Sequence, residues 1–305
     1  MTPTLKQLRY FEALARHGHF GRAAEVSAIS QPALSVQIRE LEQRFGSPLF
    51  ERGHRSLRLT AFGEALRPRV RDILRAVDDL GDLARVSQGD LRGPMRLGII
   101  PTVAPYMLPR LMRQLGEDFP DLDVEIRETV TNHLLDEVKE GRIDTAIVAL
   151  PVSEPSLQEA ELFTETFVLV RPAADGDRPP PDREALREMR LLLLEEGHCF
   201  RDQALSFCKI ERSTTTRGLD ATSLSTLVQM VGAGMGVTLI PEMAVEIESR
   251  SAPISITRFE PPEPTRTIGL IWRRTSPMAE RMQPFAEAIA QPFQHVLMGA
   301  LSNKG

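Results

Sequence analysis

Apolar positions change their period several times along this chain, and each change marks a different element. Over residues 4–17, TLKQLRYFEALARH, Leu5, Leu8, Phe11, Leu14 and Ala15 recur at helical spacing. The next stretch, HFGRAAEVSAISQPALSVQIRELEQRFG, predicts a short helix from Phe20 to Val26 with the small pair Ala23-Ala24, then a tight turn at Ser27-Ala28-Ile29. Ser30 is a good N-cap. Pro32 falls in the first turn of the following helix, where a missing N–H costs nothing. That helix turns Leu34, Ile38 and Leu41 inward and stops at Gly46. Two short helices joined by a tight turn, with small residues at their crossing, predict a helix-turn-helix. Its second helix starts at Ser30 and carries Gln31, Pro32, Ser35 and Arg39 on the outer side, suited to base edges and phosphates. The segment SPLFERGHRSLRLTAFG adds a hairpin wing with Arg52, Arg55 and Arg58 for phosphate or minor-groove contact.

From Thr60 onward, apolar or small residues fall at Leu66, Val70, Ile73, Val77, Leu80, Ala84 and Ser87, in alternating steps of four and three. A heptad seam of this kind predicts a left-handed helix pair. Placed directly after a DNA-binding module, it predicts a dimerisation helix that spaces two modules for two half-sites. Gln88-Gly89-Asp90 ends it.

After residue 93 strands and helices alternate. Strands are predicted at 95–101, 122–129 and 143–150, with helices at 106–120 and 131–142 between them. That order argues an α/β domain with a mostly parallel sheet. A strand at 163–172, a polar loop at 173–182, a helix from Ser223 and strands at 237–241, 254–260 and 266–274 follow, then a terminal helix over 278–297. The material suffices for two lobes.

Charge sharpens the division. Residues 1–60 hold nine Lys/Arg against five Glu, a net +4, while the whole chain carries −5, which leaves −9 for the remainder. A basic module on an acidic body predicts a polyanion partner for the first sixty residues only. No apolar run approaches a membrane span, and charges interrupt the N-terminal segment, so no signal peptide or membrane partner is expected and a cytoplasmic location is. Nothing predicts a metal, flavin or nucleotide: the chain has no Gly-rich phosphate loop and no His cluster. His133 and His295 read as ordinary surface or core residues.

The chain has two cysteines, Cys199 and Cys208, both within EEGHCFRDQALSFC. In a reducing compartment a structural disulfide is not expected, and two thiols are too few for a closed four-cysteine zinc site. If the segment is helical, nine positions separate the pair by roughly 13.5 Å and roughly 180° around the axis. A disulfide needs Cα atoms roughly 4.4–6.8 Å apart. The two can bond only if the helix unwinds. A thiolate, not a thiol, attacks peroxide, and Cys199 lies between His198 and Arg201, two side chains able to carry positive charge. Two inert buried cysteines remain the alternative at this point.

The pattern AA-(x7)-SQPALS-x-QI-x-LE-(x7)-LFER-(x7)-LT-x-x-G resembles the N-terminal winged helix-turn-helix of LysR-type transcriptional regulators. E-x-GHC-x-RDQA-(x3)-C, with GIIPTVAPYMLP, ATSLSTLVQMV and RTIGLI, is similar to the peroxide-sensing members of that family over essentially the whole chain. The resemblance implies a winged helix-turn-helix over 1–60, a linker and dimerisation helix over 61–90, and a two-lobed α/β regulatory domain like a periplasmic binding protein over 91–305. Lobe I would be 91–165 and 268–305, and lobe II 166–267. It implies that Cys199 is oxidised to a sulfenic acid and joined to Cys208. Thr102, Thr131, His198, Arg201, Asp202 and Arg266 would line the peroxide pocket. It further implies operator DNA as partner, hydrogen peroxide as signal, a homodimer or homotetramer, RNA polymerase as a further candidate partner, and no enzymatic activity. Val36, Phe200, Gly218 and Asp220 depart from the residues common in those relatives. The rival reading is a LysR-type regulator that senses a small metabolite between its lobes, with cysteines that do no redox chemistry.

Overall fold

The computed structural model describes residues 2–52, 57–86, 91–181, 183–208 and 220–302. The chain divides into two compact units, residues 1–84 and 85–305.

The first unit comprises α1 (Leu5–His17), α2 (Phe20–Val26), α3 (Gln31–Phe45), β1 (Phe50–Arg52), β2 (Leu57–Leu59) and most of α4 (Ala61–Val86). Each start and stop has a local cause. Thr4 and Gln7 form a capping box at α1. The Ser30 hydroxyl accepts the Ala33 N–H at 3.3 Å and opens α3, and Gly46 closes it in the left-handed region at φ 66°. At α4 the Thr60 hydroxyl accepts the Gly63 N–H at 3.0 Å and donates to the Pro48 carbonyl at 2.8 Å. A Cβ on Gly63 would sit 2.4 Å from the Leu49 carbonyl oxygen, so only glycine lets α4 begin this close to the wing. The LT-x-x-G sequence is thus a helix start built against the preceding strand. Leu8, Phe11 and Leu14 pack with Ala23, Leu34 and Leu41 into one core. Leu5 stands outside that face and is exposed.

The seam on α4 divides. Val70 is fully buried in the unit's own core, and Leu66 and Leu74 pack against it. Ile73, Leu80 and Leu83 are exposed. The buried Glu12 of α1 explains the division: Arg67 and Arg71 of α4 donate to it at 3.2 and 3.0 Å and hold the first turns of α4 against α1. Leu66 and Val70 therefore stabilise the DNA-binding unit itself, whereas Ile73, Leu80 and Leu83 lie on its surface. The Ala84 side chain and Ser87 lie outside the described residues.

The second unit holds β3 (Gly93–Ile99), α5 (Ala104–Asp118), β4 (Leu122–Glu128), α6 (Thr131–Lys139), β5 (Thr145–Leu150), β6 (Leu157–Pro172), α7 (Arg183–Glu188), β7 (Leu193–Leu194), α8 (Cys199–Cys208), β8 (Asp220–Ala221), α9 (Leu224–Gly232), β9 (Thr238–Pro241), α10 (Val245–Glu248), β10 (Ile254–Arg258), β11 (Thr265–Arg273) and α11 (Ala279–Ser302). The main sheet runs β10-β6-β11-β5-β3-β4, with β9 also paired to β6. In the main sheet, the mostly parallel pairing expected from strand–helix alternation is found, among the described residues, only where β3 pairs with β4 and β5. β11 runs antiparallel to β5 and β6, and β6 antiparallel to β9 and β10. These two long strands traverse the unit in opposite directions, which no local periodicity encodes. β6 also starts at Leu157 rather than 163, because residues 157–163 pair with 268–273 of β11 across a bulge at Ile268/Gly269.

Two hydrophobic cores flank the traverse. One takes buried residues from Met95 to Phe163 and from Ile268 to Phe293, the other from Phe167 to Phe259. Among the described residues no helix is long and apolar enough to cross a membrane.

Candidate redox and DNA-binding sites

Cys199 is the first residue of α8. Short pairing places it there: β7 lies parallel to β8, with Leu193 opposite Asp220, and the Glu195 N–H donates to the Ala221 carbonyl at 2.9 Å. The chain then turns at Gly197, whose φ of 101° is one that other residues rarely adopt. Cys199 is half-buried against the edge of the first core. It borders a cavity of about 350 Å³ shared with Thr131, Asn132, Glu196, Gly197, Arg201 and Asp202. Thr131 opens α6 as Cys199 opens α8, so two helix N-termini border this cavity. Their dipoles favour negative charge at this end of the cavity, and the Glu196 and Asp202 carboxylates in its lining oppose it. The Thr131 hydroxyl is buried and has no hydrogen-bond partner among the described residues.

A second cluster lies at the traverse. Arg266 on β11 faces Glu165 on β6 in cross-strand register. Their charged groups pair at 2.8 Å with both side chains wholly withdrawn from solvent. Arg266 also donates to the Thr102 hydroxyl at 2.9 Å and the Thr102 carbonyl at 3.1 Å. The other Glu165 oxygen accepts the Met243 N–H at 3.1 Å. Burial pushes the Glu165 carboxyl up from the usual range, against the opposing pull of Arg266 and the Met243 N–H. Beside it, Tyr106 of α5 donates to Glu248 of α10 at 2.8 Å, and Ser225 donates to the same oxygen at 2.7 Å. Burial first, then the Glu248 hydrogen bond, hold the Tyr106 phenol far above its ordinary value.

The clusters meet through consecutive residues. Cys199 borders the cavity, while the Phe200 ring lies under the Arg266 guanidinium at 5.3 Å and packs edge-on to Phe167 at 5.0 Å. Of the pocket residues inferred from sequence, Thr131, Arg201 and Asp202 share the cavity with Cys199, while Thr102, His198 and Arg266 are outside its lining. His198 is buried, and burial lowers its pKa below the ordinary histidine value despite the opposing charge of Glu195. It is therefore a neutral ring near pH 7, not the cation that its position beside Cys199 suggested. The Arg201 guanidinium is engaged elsewhere too, donating to the Leu194 carbonyl at 2.6 Å and pairing with Asp220 at 2.9 Å. Glu165 joins the Arg266 cluster without any motif in the sequence to mark it. Its only signal is an acid between two threonines in the strand FTETFVLV, and its arginine is about a hundred residues away.

Cys208 ends α8. Nine residues of rise put its backbone roughly 13.5 Å along the axis from that of Cys199. Its side chain, the whole of Gly218 and the loop before Asp220 lie outside the described residues. Among the described residues no cluster of three or more His, Cys, Asp or Glu could hold a metal.

On α3, Gln31, Pro32, Val36 and Arg39 are exposed and Ser35 half-exposed. Arg39 donates to the Ser35 hydroxyl at 3.2 Å. Ser30 spends its hydroxyl on the cap. The Arg52 side chain and all of Arg55 lie outside the described residues.

A winged helix-turn-helix unit followed by a two-lobed α/β unit defines a class, and comparison identifies it. The bacterial regulatory helix-turn-helix protein, lysR family, matches residues 5–64, and the LysR substrate binding domain matches residues 88–294. The chain belongs to the LysR family of transcriptional regulators. Within that family it is 43% identical over 296 residues, 95% of this chain and 94% of the relative, to a probable hydrogen peroxide-inducible genes activator of Streptomyces viridosporus. It is 40% identical over 290 residues, 93% of this chain and 94% of the relative, to the DNA-binding transcriptional dual regulator OxyR of Escherichia coli. Solved structures agree. A full-length cysteine-to-aspartate variant of OxyR from Pseudomonas aeruginosa superposes with a TM-score of 0.73 at 35% identity, covering 95% of each chain. A peroxide-bound cysteine-to-serine variant of OxyR from Corynebacterium glutamicum gives 0.67 at 37% identity, covering 99% of this chain and 96% of that one.

Proposed function

We propose that this chain is a hydrogen-peroxide-sensing transcriptional regulator of the OxyR type, in which oxidation of Cys199 changes the grip on operator DNA. The observation that carries the reading is the position of Cys199: first residue of a helix, on a cavity bordered by a second helix N-terminus and by a buried threonine hydroxyl with no partner among the described residues. Thr131 supplies a hydrogen bond to bound peroxide, with Arg201 and Asp202 at the rim. Thr102 and Arg266, braced by Glu165, pack behind α8 on the Phe200 ring and hold the start of the helix in place without reaching the peroxide cavity. His198, neutral, supports the turn into α8.

The Cys199 thiolate attacks one peroxide oxygen. The O–O bond breaks, and the departing hydroxide takes up a proton as water. The Cys208 thiol then attacks the sulfenic sulfur, forming S–S, breaking S–O and releasing a second water. One peroxide and two thiols yield one disulfide and two waters. Because the two backbones start roughly 13.5 Å apart along α8, α8 must unwind for the second step, and the redox event becomes a change of shape.

The division of labour we propose is a DNA-binding domain over 1–60, a linker and dimerisation helix over 61–90 and a regulatory domain over 91–305, with lobe I at 91–165 and 268–305 and lobe II at 166–267. Ser30, Gln31, Pro32, Ser35 and Arg39 of the α3 segment face operator DNA, and Arg52 and Arg55 of the wing meet phosphates. The protein works in the cytoplasm as a homodimer or homotetramer, with RNA polymerase as its downstream partner, and catalyses no turnover of a substrate.

Peptide mapping after a limiting peroxide pulse tests the reading. A Cys199–Cys208 linkage is expected in the parent. Cys199→Ser should keep DNA binding but lose the peroxide-dependent change of footprint, and Cys208→Ser should accumulate sulfenic or higher acids at Cys199. A parent with no such linkage, together with a Cys199→Ser protein that answers peroxide like the parent, would sink it.

A further inference from the structure

The two residues that follow Cys199 are each anchored to a different element. Phe200 is buried in the second core, edge-on to Phe167 and under the Arg266 guanidinium, itself locked by Glu165 and Thr102. Arg201 points the other way, to the Leu194 carbonyl on β7 and to Asp220 on β8. Its side chain is 12% exposed and that of Asp220 43% exposed, so the pair is accessible to salt without being freely solvated. Peroxide can diffuse to Cys199 in its recess. A second cysteine carries its backbone with it, so Cys199 has to come out to meet it, and Phe200 and Arg201 come with it.

We infer that Phe200 and Asp220 form a two-sided clamp on the first turn of α8 that sets the rate of disulfide formation and leaves sulfenic acid formation untouched. The inference rests on the peroxide-sensing reading above. The clamped step is attack of the Cys208 sulfur on the Cys199 sulfenic sulfur, in which S–S forms, S–O breaks and water leaves. Its consequence is a sulfenic acid that outlives the first step, so that brief exposure to peroxide is reversed before the shape changes. Phe200 and Asp220 are positioning residues, since neither touches the reacting sulfur chemistry directly.

Full-length parent, Phe200→Leu, Asp220→Asn and Asp220→Glu proteins would be mixed with peroxide and quenched at intervals. Trapping of the sulfenic acid by a dimedone probe reports the first step, and mass spectrometry of the linked peptide reports the second. The first rate should be equal in all four. The second should rise roughly tenfold in Phe200→Leu, where the cation–π contact is lost, and severalfold in Asp220→Asn, with Asp220→Glu close to the parent. Added salt should speed the second step in the parent and not in Asp220→Asn, because only the parent has the screened pair. Equal second-step rates in parent, Phe200→Leu and Asp220→Asn would overturn the clamp while leaving peroxide sensing intact. A parent that forms no Cys199–Cys208 bond would overturn both.

Discussion

The guanidinium of Arg266 and the carboxylate of Glu165 meet at 2.8 Å on adjacent strands, with neither side chain reaching solvent. A buried pair of this kind is weak evidence for stability, but removing one partner strands the other charge. Glu165→Ala should therefore destabilise the second unit by about 3–5 kcal/mol. Replacing both residues with apolar ones of similar volume should recover most of that loss. Urea unfolding of the three proteins checks the order, and a double variant weaker than Glu165→Ala would contradict it.

His198 makes stability depend on pH in a defined direction. Its folded pKa is lowered by burial, so between the folded value and the unfolded one, about 6.5, the unfolded chain binds the proton and the folded chain does not. Stability is full above that window and falls as pH drops through it. His198→Gln should flatten this limb. Thermal melts between neutral and mildly acidic pH, compared for parent and variant, would show parallel curves if the ring contributes nothing.

On α3, base readout and phosphate contact separate by their salt response. Gln31→Ala should lose about 1–3 kcal/mol of discrimination between operator and scrambled DNA, since an amide can pair with a base edge in two places. Arg39→Ala should weaken binding to both DNAs alike and reduce the slope of log K against log salt. Binding titrations at several salt concentrations decide it, and unchanged titrations for both variants would exclude α3 as the reading helix.

The two halves of the α4 stripe should respond differently to the same insult. Ile73 is exposed in the isolated chain and Val70 is not. Ile73→Asp should dissociate subunits in analytical ultracentrifugation while the first unit stays folded by circular dichroism. Val70→Asp should unfold that unit, because it puts an uncompensated charge into its core. An Ile73→Asp protein that sediments as the parent does would remove this position from the subunit contact.

Much of the fold is local and was therefore legible along the chain. The helix-turn-helix follows from caps at Thr4 and Ser30, small residues at Ala23-Ala24 and a glycine stop at Gly46, each acting within a few residues of itself. The spacing of Cys199 and Cys208 on one helix is likewise a property of nine consecutive positions. What needed the tertiary structure is whatever joins distant segments. The antiparallel course of β6 and β11, which corrected a parallel sheet, depends on register between residues about a hundred apart. The same register decides that Arg266 meets Glu165. Packing of α4 on α1 decides that Leu66 and Val70 belong to one chain's core, where heptad spacing pointed to two chains. The flanks of Cys199 show the difference most directly. As neighbours in sequence His198 and Arg201 read as two cations beside a thiol, but burial makes the histidine neutral and Asp220 takes the arginine's charge. Adjacency along a chain says which groups can be near a sulfur, and only the fold says what state and which partner each of them keeps.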